Sequence, residues 1–158
     1  VVDSGEKLYR RSLYTFWRRI VGPTMFFDTS RRQTCHVTGS VTNTPLHALT
    51  TLNDVTFVEA ARALAERVML RHPTDPGAQL ALAFQLATAR QPTARELQLL
   101  TDRYRVVNEM FATHPGEALK LLEVGDSLRS PSLDPVAHAS CTAICLLILN
   151  LDETLTKE

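Results

Sequence analysis

Metal-ligand chemistry has one compact candidate in this sequence, His138, Cys141 and Cys145, at i, i+3 and i+7. On a helix that spacing puts an imidazole and two thiols on one face, and these ligand types suit zinc or copper. Cys35 and His36 would add ligands if their loop came alongside. Against the site, Cys141 and Cys145 lie in the most apolar stretch of the chain, where cysteine packs as a small hydrophobe, and structural zinc sites show tighter paired spacing. The reading adopted is no metal and no cofactor, with His138, Cys141 and Cys145 kept as the alternative. Covalent haem attachment needs Cys-x-x-Cys-His, and Cys141-Thr142-Ala143-Ile144-Cys145 has one residue too many and no following histidine. Three cysteines leave one unpaired in any disulfide scheme, and two of them one helical turn apart make poor bridge geometry, so buried free thiols are expected.

Nucleophilic chemistry is less well supplied. Cys35 beside His36 is the nearest approach to a thiol and its base, but neighbours in sequence often point apart. There is no glycine-rich phosphate loop, no His-Glu-x-x-His pair and no paired-carboxylate signature. No catalytic residue is assigned. What remains is a set of polar residues of defined geometry: Asn43, Thr44, Asn53 and Asp54 around one corner of the chain, with Arg11, Glu59, Asn150 and Asp152 as companions. They either cap helices and hold that corner against the first and last helices, or line a binding groove together.

The elements that must position these residues are helices. Thr44-Pro45 reads as an N-cap and first helical position, since proline lacks an N–H that would be unsatisfied there. Leu46, Leu49 and Leu52 then share a face, and Asn53-Asp54 supplies a residue tolerant of the left-handed conformation followed by a second N-cap. Downstream, Phe57, Val58, Ala61, Leu64, Ala65 and Val68 fall at helical spacing, and Glu59, Arg62, Glu66 and Arg67 are assigned to the solvated face. Upstream, residues 6–20 place Tyr9, Leu13, Phe16, Trp17 and Ile20 on one face, with arginines largely elsewhere. That aromatic and basic mixture could hold phosphate and stack bases, but core plus a solvated basic edge is the simpler account.

Further along, Asp75-Pro76 caps a helix carrying Leu80, Ala83, Phe84 and Ala87 that ends at Gln91-Pro92. Thr93-Ala94-Arg95-Glu96 is a capping box, followed by Leu97, Leu100, Tyr104, Val107 and Phe111 at helical spacing. Pro115 opens a short helix ending near Gly125, residues 127–133 form a linker, Asp134-Pro135 caps a buried helix, and Asn150 with Glu153 starts a final turn. The expected fold is all-α: a compact irregular bundle of about six to eight helices with one long loop at residues 22–43. No repeat of fixed period is present.

The 158 residues, 44% hydrophobic and 22% charged, suit one domain with a real core, spanning the whole chain. Seventeen basic and seventeen acidic residues cancel, so no global field argues for nucleic acid or an anionic membrane. The charges are unevenly placed, with seven Lys and Arg against three acids in residues 1–32, and six acids against two bases in residues 123–158. Residues 143–149 are strongly apolar but far too short to span a bilayer. The opening Val1 suggests a fragment of something longer, with targeting information upstream.

Four stretches together carry a family resemblance: residues 8–19 (LYRRSLYTFWRR), 42–54 (TNTPLHALTTLND), 57–67, and the closing Leu149-Asn150-Leu151-Asp152-Glu153. Across essentially the whole chain they resemble the family of domains of unknown function DUF1553. The resemblance implies a C-terminal domain of a large exported, planctomycete-type bacterial protein, lying behind a second uncharacterised domain and often a cytochrome-c-like segment. It implies an exported or periplasmic setting and brings no established activity. Two departures stand out. The family commonly has several arginines where this chain has Val37-Thr38-Gly39-Ser40-Val41, and commonly has glutamine where this chain has His47, which weakens any anion-binding role. The functional expectation is an uncharacterised interaction or assembly module, more a module than an enzyme by itself. Its expected partners are upstream domains of the same polypeptide or other envelope proteins. The alternative is part of an enzyme site in an envelope hydrolase or redox-linked carbohydrate-processing protein.

Overall fold

Short-range capping chemistry sets most of the helix starts. The computed structural model describes residues 45–155, and these form seven α-helices: α1 (Pro45–Asn53), α2 (Val55–Arg71), α3 (Pro76–Thr88), α4 (Ala94–Thr113), α5 (Pro115–Leu122), α6 (Pro135–Leu149) and α7 (Asp152–Leu155). No strand occurs among the described residues. The expected first helix, the loop at 22–43, and Arg11, Cys35, His36, Asn43 and Thr44 lie outside them. Four of the seven helices open on proline, whose fixed φ and missing N–H suit the first turn. Asp54, Asp75 and Asp134 each turn a carboxylate back to an N–H of the following turn, those of Thr56, Ala78 and Ala137 at 2.9, 3.1 and 2.8 Å. Thr93 and Glu96 form the full capping box, the Glu96 carboxylate accepting from the Thr93 N–H at 2.7 Å.

The helix α6 is the hub. It carries no charged residue along its length and packs against every other described helix, most extensively against α2. Ala61 and Ala65 of α2, both fully buried, let the two backbones approach, while Leu80 and Phe84 from α3 and Ile144, Cys145 and Ile148 from α6 fill the layer above. A second, smaller core gathers Phe111 of α4, Ala118 and Leu122 of α5 and Ala139 of α6. Its β-branched residues make α6 a middling helix former in isolation, so tertiary burial supplies what propensity does not.

Several expectations are corrected. Helix α3 stops at Thr88, before Gln91-Pro92, because Ala89 adopts a left-handed φ of 62° and its N–H returns to the Gln85 carbonyl at 2.9 Å. Asn53 is not left-handed. It remains helical, donating from Nδ2 to the Leu49 carbonyl at 2.7 Å, and extended Asp54 (φ −73°, ψ 131°) makes the corner. On α1, Leu49 is exposed, Leu52 is half-buried and Thr51 is buried. Helix α5 ends at Leu122, and the last turn begins at Asp152, with Asn150 serving as the C-cap of α6.

Candidate functional site

The largest departure from the sequence reading sits in the middle of α2. Glu59 and Arg62, expected in water, are each only 2% exposed. Their spacing puts the carboxylate and guanidinium side by side, yet the direct contact is long, Arg62 Nη2 to Glu59 Oε1 at 3.4 Å. Both spend their better geometry on Ser127, in the segment between α5 and α6. The Ser127 N–H donates to Glu59 Oε1 at 2.6 Å, and Arg62 Nη2 donates to the Ser127 carbonyl and hydroxyl, each at 2.7 Å. One turn along α2, Glu66 accepts the Ser130 N–H at 3.0 Å. Three charged side chains of one helix thus clamp a segment with no regular hydrogen bonding of its own, satisfying backbone groups that burial would otherwise orphan.

Gly125 is part of the clamp. Its φ of +99° is a conformation L side chains rarely adopt, and a Cβ there would lie 2.5 Å from the Glu59 Cδ. The segment passes so close to the carboxylate that only glycine fits.

His138 faces the same pair from α6. Its Nε2 lies 3.4 Å from the Arg62 carbonyl, and Nδ1 has no partner, as is also true of Arg62 Nε. Burial holds the imidazole below its ordinary pKa of 6.5, opposed by the Arg62 carbonyl. The ring is therefore turned to α2 rather than toward Cys141 and Cys145. Both cysteines are free and fully buried, and the hydrogen bond to Cys141 together with burial pushes the Cys145 thiol well above 9. Among the described residues no group of three or more His, Cys, Asp or Glu is placed to hold a metal ion.

The remaining candidates are divided among separate places. Asn150 does reach the corner, but through Thr51: the Thr51 hydroxyl lies 2.5 Å from Asn150 Oδ1 and 3.0 Å from the Ala48 carbonyl, sharing its one proton between them. This bond ties α1 to the end of α6. Asn53 is the exposed last residue of α1 and Asp54 the exposed N-cap of α2, Asp152 is exposed in the first turn of α7, and Glu59 belongs to the clamp.

Sequence reasoning missed Thr51, Arg62 and Ser127. A signal for Arg62 existed. Val58, Ala61, Ala65, Val68 and Met69 define one stripe, and position 62, four after 58 and three before 65, falls inside it. It also missed Arg90, which grips Glu96 through Nη1 and Nη2 at 3.0 and 2.8 Å and Glu153 through Nε and Nη2 at 2.7 and 2.8 Å. The guanidinium stacks 4.8 Å above the Phe84 ring, linking the end of α3 to the starts of α4 and α7. Arg90 holds the Glu96 carboxyl down at about 2, helped by the Thr93 N–H and hydroxyl. Glu153 is lowered by the same arginine.

Two outer surfaces carry exposed apolar residues. On α4, Leu99, Val106 and Met110 are 62%, 57% and 49% exposed and fall in one stripe at i, i+7 and i+11. Between α2 and α3 an open groove of about 530 Å³ is lined by Arg67, Leu70, Arg71, Leu82 and Leu86.

No curated protein and no solved structure matches the chain. A family model does, over residues 1–104, so the match is shorter than the whole-chain resemblance read from the sequence and does not include Leu149–Glu153. It covers α1, α2, α3 and the first half of α4, with the Asp54 corner, the Glu59–Arg62 pair and the Thr93 capping box. The chain thus belongs to the family PSD1, described as a protein of unknown function (DUF1553).

Proposed function

We propose that this domain is a helical interaction and assembly module that packs against upstream domains of a larger exported bacterial protein. The observation that carries the reading is the α4 stripe. Leu99, Val106 and Met110 stand 49–62% exposed in one line along α4, the longest of the described helices. Aligned large apolar side chains in water mark a contact surface far more often than scattered ones do. The polar candidates support it from the other side, since Asp54, Asn150, Glu59 and Arg62 are all engaged in holding the fold. The exported setting enters through the family resemblance, and the basic residues 1–32 and acidic residues 123–158 offer complementary charges for orientation.

A second reading, part of an enzyme site, draws on Arg62 Nε and His138 Nδ1, two buried polar atoms without partners in one polar cluster. Co-expression with the polypeptide encoded upstream separates the two. The module reading expects the domain to co-purify with it, and expects Leu99→Glu with Val106→Glu to abolish co-purification while helix content is unchanged. Retention of the complex by that variant would remove α4 as the interface.

A further inference from the structure

The groove between α2 and α3 has a chemistry of its own. Leu70 and Leu86 are 54% and 43% exposed, and with Leu82 they form an apolar floor. Arg67 and Arg71, one helical turn apart on α2, form its edge, and neither makes an ion pair among the described residues. The described acids near them are engaged elsewhere, Asp75 accepting the Ala78 N–H as the cap of α3. Helix α3 carries no charged residue from Pro76 to Thr88, and the neighbouring acid of α2, Glu66, is turned to the Ser130 N–H. The groove is thus a strip of leucine surface beside two positive charges without an ion-pair partner among the described residues.

We infer that this groove docks an acidic amphipathic helix of a partner protein, leucines against Leu70, Leu82 and Leu86 and carboxylates against Arg67 and Arg71. Three observations favour that occupant. The groove is open, with Leu70 and Leu86 exposed along it, which suits a row of side chains on a helix rather than an enclosed small molecule. Guanidinium groups pair with carboxylates in two-point geometry, so the edge selects for acid. The basic residues 1–32, with seven Lys and Arg against three acids, are the wrong sign to fill it. The inference rests on the module reading but concerns a different face from α4, and it names what that face selects.

The test uses all 158 residues of the sequence. Two labelled helical peptides share leucines at i, i+3, i+7 and i+10; one carries glutamates flanking them and the other lysines. Fluorescence anisotropy is expected to show the acidic peptide binding about tenfold or more tightly than the basic one, as two charge pairs at a partly buried edge provide. Arg67→Glu with Arg71→Glu should invert that order, and Leu86→Ala should weaken the acidic peptide. Equal affinities, binding of neither peptide, or a preference unchanged by the double reversal would each overturn the inference. So would a concentration-dependent dimer in sedimentation that Arg67→Glu with Arg71→Glu dissolves, since the occupant would then be a second copy. The α4 variant should leave peptide binding intact, so failure here with α4-dependent co-purification preserved removes the groove and not the module.

Discussion

Gly125→Ala is the sharpest test of the clamp, because two separate penalties meet at one atom. The first is conformational. At φ +99° an alanine is strained by about 1–3 kcal/mol. The second is steric, and Glu59 cannot step aside cheaply: the added Cβ would meet its Cδ at 2.5 Å, Oε2 at 2.6 Å and Cβ at 2.8 Å, so the whole side chain is in the way. Moving it breaks the Ser127 N–H bond to Glu59 Oε1, and a hydrogen bond to a charged acceptor is worth about 1.5–3 kcal/mol. Together these give a loss of about 3–5 kcal/mol, a large share of a small domain's stability. Urea denaturation followed by circular dichroism at the helix band measures it, with Gly116→Ala as the control. Gly116 sits in the first turn of α5 with nothing within 4 Å of an added Cβ, so its substitution should be neutral or stabilising by about 0.5–1 kcal/mol. Gly125→Asn keeps the Cβ and should not rescue. If Gly125→Ala unfolds within about 1 kcal/mol of wild type, the close approach to Glu59 is not what fixes the segment.

Other outcomes follow from the same structure. Thr93→Ala removes one half of the capping box and should cost about 1 kcal/mol in the same denaturation assay, with Thr93→Ser close to wild type. The Glu96 carboxyl is depressed from 4.5 to about 2, so the stability it contributes is complete above pH 4.5 and is lost as pH falls towards 2; thermal melts across that window should flatten in Glu96→Gln. His138 is held below its ordinary 6.5 by burial, so the folded state prefers the neutral ring. Its contribution is complete above pH 6.5 and erodes as the solution becomes more acid, and His138→Gln should remove that erosion from a melting-temperature profile. Asn150→Ala should release α1 from the end of α6, read as faster amide exchange through residues 45–53 with the α2 core unchanged.

What the sequence made legible is what is local. The caps at Asp54, Asp75, Thr93 and Asp134 each involve side chain and backbone within three residues, and all four stand where they were expected. The buried character of α6 was legible from its composition. Glu59 and Arg62 were misplaced because their partner, Ser127, lies 68 and 65 residues away, and nothing local distinguishes a charged residue facing water from one facing a distant backbone. The spacing of the α2 stripe pointed inward at position 62 and residue type pointed outward; the stripe was the better guide. Asn150, expected as a companion of the Asn43–Asp54 corner, bonds instead to Thr51, whose hydroxyl also reaches the Ala48 carbonyl in a way that only coordinates reveal. The end of α3 was missed for the same reason. Ala89 accepts a left-handed φ that few would assign to alanine, while Arg90 beyond it is committed to Glu96 and Glu153.

The hub position of α6 has a consequence for how the molecule is made. Every other described helix rests on it, yet all but α7 precede it in the chain. On the ribosome, α1 to α5 emerge with their apolar faces lacking the surface they are built to cover, and the Ala61 and Ala65 face of α2 must wait for a segment more than seventy residues later. The clamp lies between, so Glu59, Arg62 and Glu66 can engage residues 127–130 just before α6 arrives. The chain order thus puts the residues that fix segment 127–130 to α2 directly before the helix that covers the same face of α2.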